Sequence, residues 1–207
     1  MPARVVLATA SAGKVAECTA LLREWGEIEV HSLAEFPDVR LPPETGVSYA
    51  ENAIAKARAV AVTTGLPALG DDSGLEVEVL GGTPGIHSAR YAPTDAERIA
   101  RLLAALADVP AAGRRARFRC VIALVWPGGR TETAEGRCDG SIAAAPSGSQ
   151  GFGYDPVFVA DELGRTFAEA TPDEKARVSH RARSIRALGD RLAAGRRTSL
   201  RGCAGPC

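Results

Sequence analysis

The sequence predicts an α/β protein in which strands and helices interleave and a hairpin is inserted. Three observations carry this reading. Val5-Val6-Leu7-Ala8 is an apolar run of buried-strand length that passes directly into residues spaced as on a helix. Ser48 with Glu51, and Thr171 with Glu174, are capping boxes ahead of helical segments. Residues 118–126 and 131–135 are strand-like and flank Pro127-Gly128-Gly129, a turn signal. At 207 residues and 45% hydrophobic, the chain can bury a true core as one compact domain or two small lobes, and wholesale disorder is excluded.

In chain order, the first strand runs into Thr9-Ala10-Ser11-Ala12-Gly13-Lys14. Val15, Cys18, Leu22 and Trp25 then recur at helical spacing until Gly26 stops them. The second helix opens at Ser48, places Ile54, Ala57 and Ala61 on one face, and ends at Gly65. Leu66-Pro67-Ala68-Leu69-Gly70 forms a strand that delivers Asp71-Asp72-Ser73-Gly74 at its end. Beyond it, Leu75, Val77 and Val79 alternate with Glu76 and Glu78 as in a half-exposed strand. Gly81-Gly82-Thr83-Pro84-Gly85 turns the chain, and 96–107 is a helix. Residues 146–153 are a Gly/Ser-rich loop, 156–159 a strand, and one last helix extends from Thr171 to about Ala194. Residues 195–207 carry arginines and no acids and are expected to be a disordered basic tail, leaving 1–194 as a single domain.

Composition narrows the function classes. Lys+Arg 25 against Asp+Glu 25 gives a net charge of zero, which argues against a nucleic-acid coat protein. No apolar run approaches the ~18 residues of a membrane helix, and Met1 to Thr9 has no signal-peptide pattern, so the expectation is a cytoplasmic protein without membrane partners. Five cysteines with no tight pairing read as reduced thiols. Only three of the basic residues are lysines: Lys14, Lys56 and Lys175. Each lies beside a loop suited to phosphate or base recognition, where a compact ammonium differs from a guanidinium fork.

Taken singly, the chemical motifs stay open. The loop from Thr9 to Lys14 points free backbone N–H groups of a helix start at any anion before it, and Thr9, Ser11 and Lys14 add donors and charge. It lacks the Walker pattern, since Ala8 and Val15 stand where glycine and a hydroxyl are needed, and it reads equally as a capped helix with a surface lysine. Asn52 and Lys56 share a helix face, with Glu44 in the loop before it; this is either a phosphate and metal face or an ordinary solvated one. Asp71 and Asp72 offer hard oxygen ligands where open sheets bind ligands, or else a turn bonded to its own backbone. Consecutive side chains on extended chain point to opposite faces, so one acid of the two would meet a given metal. In Gly151-Phe152-Gly153-Tyr154-Asp155, an aromatic between glycines suits a stacked base. Ser179-His180-Arg181 follows Lys175 and supplies donors, although a lone histidine is more often structural.

In order, these segments resemble the inosine triphosphate pyrophosphatase (Ham1) family from about Val5 to Ala194. The resemblance rests on Glu51-Asn52-Ala53 with Lys56, Asp71-Asp72-Ser73-Gly74-Leu75, and Gly82-Thr83-Pro84-Gly85-Ile86-His87-Ser88-Ala89-Arg90-Tyr91. Gly151-Phe152-Gly153-Tyr154-Asp155-Pro156 and Glu174-Lys175 with Ser179-His180-Arg181 complete it. It implies an elongated mixed sheet with flanking helices, two lobes around a central cleft, and a homodimer. It also implies Mg²⁺-dependent hydrolysis of ITP, dITP and XTP to monophosphate and pyrophosphate, cleansing the nucleotide pool.

Carried over by position, Thr9, Ala10, Ser11, Ala12, Gly13, Lys14 and Lys56 would hold phosphates. Glu44 and Asp72 would bind Mg²⁺, with Asp72 the proton acceptor. Asn52, Ser73, Phe152, Gly153, Tyr154, Asp155, Lys175, His180 and Arg181 would surround the rest of the purine nucleotide. The family's first loop usually reads Thr-Gly-Asn where this chain has Thr9-Ala10-Ser11, so Ser11 is expected to contribute less to phosphate binding. The nearest rival is a Maf-type house-cleaning pyrophosphatase with another base preference. A non-catalytic nucleotide sensor is disfavoured by the presence of both Glu44 and Asp72, and a nucleic-acid module by the charge balance.

Overall fold

The computed structural model describes the backbone of residues 1–201 and the side chains of residues 1–194. The expected tail over 195–207 lies outside the residues described in full, apart from a backbone helix that continues to Arg201. The strands are β1 (Arg4–Leu7), β2 (Glu29–His31), β3 (Ala68–Val77), β4 (Arg115–Val125), β5 (Thr131–Ile142), β6 (Phe158–Ala160) and β7 (Arg165–Thr166). The helices are α1 (Ala12–Leu22), α2 (Tyr49–Thr64), α3 (Asp95–Ala105), α4 (Pro172–Val178) and α5 (His180–Arg201). All the strands join one seven-stranded sheet in the order β2-β1-β3-β4-β5-β6-β7. β1 pairs in parallel with β2 and β3, and every later pairing is antiparallel. The mixed α/β class expected from the sequence therefore holds.

Period two divides the core between the sheet faces. Val5 and Leu7 of β1 pack with Leu69, Ile122 and Leu124 beneath α1 and α5. Val6 and Ala8 pack with Ala57, Val60 and Ala61 of α2 on the opposite face. A third cluster gathers Leu75, Phe118, Phe158 and Phe167 with Leu102 of α3. The helix starts follow the capping chemistry of the sequence. Ser48 accepts from the Glu51 N–H (3.2 Å), and the reciprocal boxes Thr94/Glu97 and Thr171/Glu174 open α3 and α4.

Two expectations are corrected. In place of separate strands over 66–70 and 75–79 around an Asp-Asp-Ser-Gly end, β3 is continuous from Ala68 to Val77 and paired with β4 throughout. The residues are turn-prone, but Asp71 and Asp72 find partners in the helices on either face, and the ladder to β4 needs no break. Gly70 makes this possible, because a Cβ there would stand 2.1 Å from the carbonyl oxygen of Ala53, so α2 can lie directly on the strand. The last helix is also not single. Ser179 takes an extended conformation between α4 and α5, and its Oγ accepts from the Ala182 N–H (3.2 Å), capping the second helix. That break puts His180 and Arg181 in the first turn of α5, both buried. β2 and β7 are edge strands too short to show periodicity in sequence.

Candidate active site

The register fixes where the site lies. β1 ends level with Leu69, since Leu7 pairs with it, and the chain then leaves the sheet through residues 9–13. β3 continues past that end and carries Asp71 and Asp72 beside the departing loop, the place where open α/β sheets take ligands. Ser11 is the N-cap of α1 and accepts from the Lys14 N–H (3.4 Å), while Thr9 Oγ1 accepts from the Ser11 N–H (3.2 Å). No non-glycine residue has positive φ among the described residues, so Ala10 fits this loop without strain. Gly13 is needed for closeness: a Cβ there would meet the Phe152 ring at 2.3 Å. Since Ser11 serves the helix cap and asparagine caps as well as serine, Ser11→Asn is expected to keep or raise the ITP turnover that the resemblance implies. A loss of turnover in that variant would show that this loop depends on its own geometry.

Asp72 faces α2. Its carboxylate accepts from Asn52 Nδ2 (3.0 Å) and Lys56 Nζ (3.2 Å), and Lys56 also bonds Glu44 Oε1 (2.7 Å). Asn52 uses both ends of its amide, because its Oδ1 accepts from the Gly46 N–H (2.8 Å) and so ties the Glu44 loop to the strand. Asn52, expected among the residues around the substrate, is buried, with its amide engaged by Gly46 and Asp72. Arg90 completes the group through Glu44 Oε2. Burial opposes the charge of Glu44, yet Lys56 and Arg90 hold its carboxyl below the ordinary value. Burial pushes Asp72 above its ordinary value against the pull of Lys56 and Asn52, and the Glu44 charge adds to the rise. Two neighbouring carboxylates driven in opposite directions separate a standing anion from a potential base.

Glu44 and Asp72 converge on one cation, the Lys56 ammonium, which both carboxylates contact. Among the described residues no group of three or more His, Cys, Asp or Glu could hold a metal. One or two carboxylates, with the remaining positions left to water and phosphate oxygens, is how Mg²⁺ is held beside a nucleotide. The residues therefore fit Mg²⁺ arriving with a phosphorylated ligand and do not form an all-protein cage.

Asp71 faces α1 and α5. Lys14 Nζ and Arg181 Nε (2.7 Å) bond its carboxylate, and Cys120 Sγ donates at 3.2 Å. Arg181 also binds Glu17 and donates to Ser73 Oγ (3.1 Å); Glu17 in turn bonds Lys175 (2.7 Å), which pairs with Asp155. Cations and carboxylates thus alternate from Lys14 to Asp155. Burial opposes ionisation of Asp71, but Arg181 and Lys14 hold it well below the ordinary carboxylate range.

A cavity of about 410 Å³ unites these groups. Thr9, Ala10, Ser11 and Lys14 line it with Glu44, Lys56 and Ser73; Phe152, Gly153, Tyr154, Asp155, Lys175, His180 and Arg181 close the far side. Of the expected residues, Ala12, Gly13, Asn52 and Asp72 do not line it. Ala12 and Gly13 begin α1, and Asp72 lies at 4% exposure with its oxygens on Lys56 and Asn52. All three lysines meet here, each on a buried or half-buried carboxylate. The Phe152 ring lies 5.0 Å from Lys175 Nζ and 5.7 Å from the Arg181 guanidinium. His180 stacks on Phe118 (4.6 Å, 12°), and its buried Nδ1 has no hydrogen-bond partner. Burial, with Arg181 and Lys175 adding to it, pushes His180 well below the ordinary imidazole value, so it is neutral.

Three functional partners escape sequence reasoning. Asp71 carries no separate role there, Glu17 has only its position one turn beyond Lys14 as a signal, and Arg90 lies unassigned in the segment 82–91.

A cavity with a helix-start loop, Lys14 and Lys56 at one end, two carboxylates meeting on one cation, and an aromatic shelf beside Lys175 at the other defines an α/β protein built for a polyanion carrying a planar ring. Residues 5–191 match the Ham1 family. The chain is 50% identical to the dITP/XTP pyrophosphatase of Geobacillus kaustophilus over 90% of this chain and 92% of that one. It is 49% identical to a dITP/XTP pyrophosphatase of Thermus thermophilus, covering 89% of each. A HAM1 protein of Coxiella burnetii superposes with a TM-score of 0.81 at 43% identity, covering 92% of this chain and 98% of that one. The chain belongs to the Ham1 family.

Proposed function

We propose that this chain hydrolyses non-canonical purine nucleoside triphosphates (ITP, dITP and XTP) to the monophosphate and pyrophosphate with Mg²⁺ as cofactor. The observation that carries the reading is the convergence of Glu44 and Asp72 on one cation beside the Lys14 loop. The naming of the relatives as dITP/XTP pyrophosphatases supports the substrate class. Mg²⁺, held by Glu44 and Asp72, would supply charge neutralisation on the phosphates and activation of a bound water. Lys14 and Lys56 lower the repulsion met by an incoming hydroxide, and the backbone N–H groups opening α1 receive phosphate oxygens. Asp72, set beside the ion, accepts the proton of the attacking water.

At the other end Phe152 stacks on the base. Hypoxanthine and xanthine present a 6-oxo acceptor where adenine has an amino donor. Arg181 has its donors on Asp71, Glu17 and Ser73, so recognition of that oxygen falls to the neutral His180 and to backbone N–H groups near Tyr154. A site built on donors rejects the mismatched base by up to about 10⁴-fold.

Among the described residues no helix is long and apolar enough to cross a membrane. The reading further takes residues 1–194 as one catalytic domain, working as a homodimer in the cytoplasm without nucleic-acid partners. A panel of ITP, XTP, GTP, dTTP and UTP with product analysis tests the activity. The expected result is pyrophosphate released from ITP and XTP far faster than from the others. Preference for dTTP or UTP would instead indicate the Maf-type alternative, and orthophosphate would move the point of cleavage.

A further inference from the structure

Glu44 engages two cations, one per oxygen: Lys56 on Oε1 and Arg90 on Oε2. Lys56 belongs to the same helix face as Asn52, but Arg90 comes from a different part of the fold. It closes the 3₁₀ turn Gly85–Arg90, and that turn is fixed to the strand that carries Asp72. Ser88 Oγ accepts from the Leu75 N–H of β3 (2.9 Å) and donates to the Gly85 carbonyl (2.7 Å), while Tyr154 donates its hydroxyl to the Ser88 carbonyl (3.1 Å). The Arg90 backbone is thus anchored, whereas its side chain is 41% exposed and also donates to the Ile86 carbonyl (3.2 Å). Anchored below and half in solvent at its tip, the guanidinium can leave Glu44 without unfolding anything.

Glu44 and Asp72 are balanced by Lys56 and Arg90, so the group is neutral without a metal. A free dication approaching it meets a carboxylate whose two oxygens are already paired. A metal–nucleotide complex differs, because its phosphate oxygens give the displaced cations new partners. We infer that Arg90 is a positioning residue that occupies Glu44 until nucleotide arrives, making metal binding conditional on the nucleotide. This inference rests on the reading that Glu44 and Asp72 hold the ion. It concerns the order and coupling of binding, not the chemical step.

Mn²⁺ titration followed by electron paramagnetic resonance measures it, with and without a non-hydrolysable α,β-methylene analogue of ITP. Arg90→Gln is expected to tighten Mn²⁺ binding to the nucleotide-free protein about two- to fivefold, the range of one partly exposed ion pair. The same variant should shrink the factor by which the analogue enhances Mn²⁺ binding, since coupling between two ligands is reciprocal. Arg90→Lys, which keeps the charge, should remain close to the unsubstituted protein and serves as the folding control. Unchanged Mn²⁺ affinity in Arg90→Gln, with the analogue's enhancement intact, would overturn the inference and leave the metal site standing. Failure of the unsubstituted protein to bind Mn²⁺ even with the analogue, or equal binding by Glu44→Gln, would remove the metal reading and this inference with it.

Discussion

Asp72→Asn is expected to reduce pyrophosphate release by about 10²–10⁴-fold, the usual span for removing a positioned general base, while the fold stays intact. The two halves have separate causes. An amide matches the carboxylate in shape but cannot take the proton of the attacking water, and it is a poorer partner for a dication. The stability half follows from the direction in which the fold drives this group. Burial raises the native Asp72 value above its ordinary 3.8, so the folded state disfavours the ionised form. A raised carboxyl contributes stability below its unfolded value and loses it as pH climbs through the folded value. Near neutral pH the charge is therefore a cost, which the neutral amide removes while giving up one of the two acceptors that Asn52 and Lys56 use. Turnover assays paired with thermal melting check both halves. Full activity in Asp72→Asn would remove the assigned chemistry, and an unfolded variant would contradict the energetic argument.

The distinction between the two adjacent acids marks the limit of what the sequence could disclose. Their alternation was legible, because period two on an extended chain sends neighbours to opposite faces. The face of α2 was legible as well: Asn52 and Lys56 at helical spacing behind a capping box do reach one carboxylate. The loop from Thr9 to Lys14 followed from a strand running into a capped helix, and the three lysines did meet in one cavity. Local patterns carried all of this. Partners set by long-range packing left no trace, since Glu17 on α1 meets Arg181 on α5, and Arg90 meets Glu44, only after the sheet has assembled. The same cause hid the continuity of β3, where turn-prone residues are held straight by β4 and by the helices above and below. It also hid the break at Ser179, where capping of α5 by Ser179 itself competes with an uninterrupted helix.

For Asp71→Asn the expectation is reversed: a loss of about 3–5 kcal/mol in unfolding free energy near neutral pH, the cost of removing one member of a buried ion pair. Asp71 is 2% exposed and serves Arg181 and Lys14, with Cys120 donating to the same carboxylate. An amide cannot balance those two cations, and Arg181, itself 2% exposed, would keep only Glu17 as an anionic partner. The pH dependence gives the prediction its sign. The folded Asp71 value lies well below the ordinary 3.8, so the stability it contributes is complete above that value. It is lost only as pH falls from 3.8 through the folded value, where the native carboxylate finally takes a proton. Denaturant unfolding of both proteins across that range should show a gap that is constant from neutral pH down to about 4 and narrows below it. A gap that persists undiminished in strong acid would mean that Asp71 stabilises the fold through shape and neutral hydrogen bonds. The alternating chain from Lys14 to Asp155 would then owe its order to packing and not to charge.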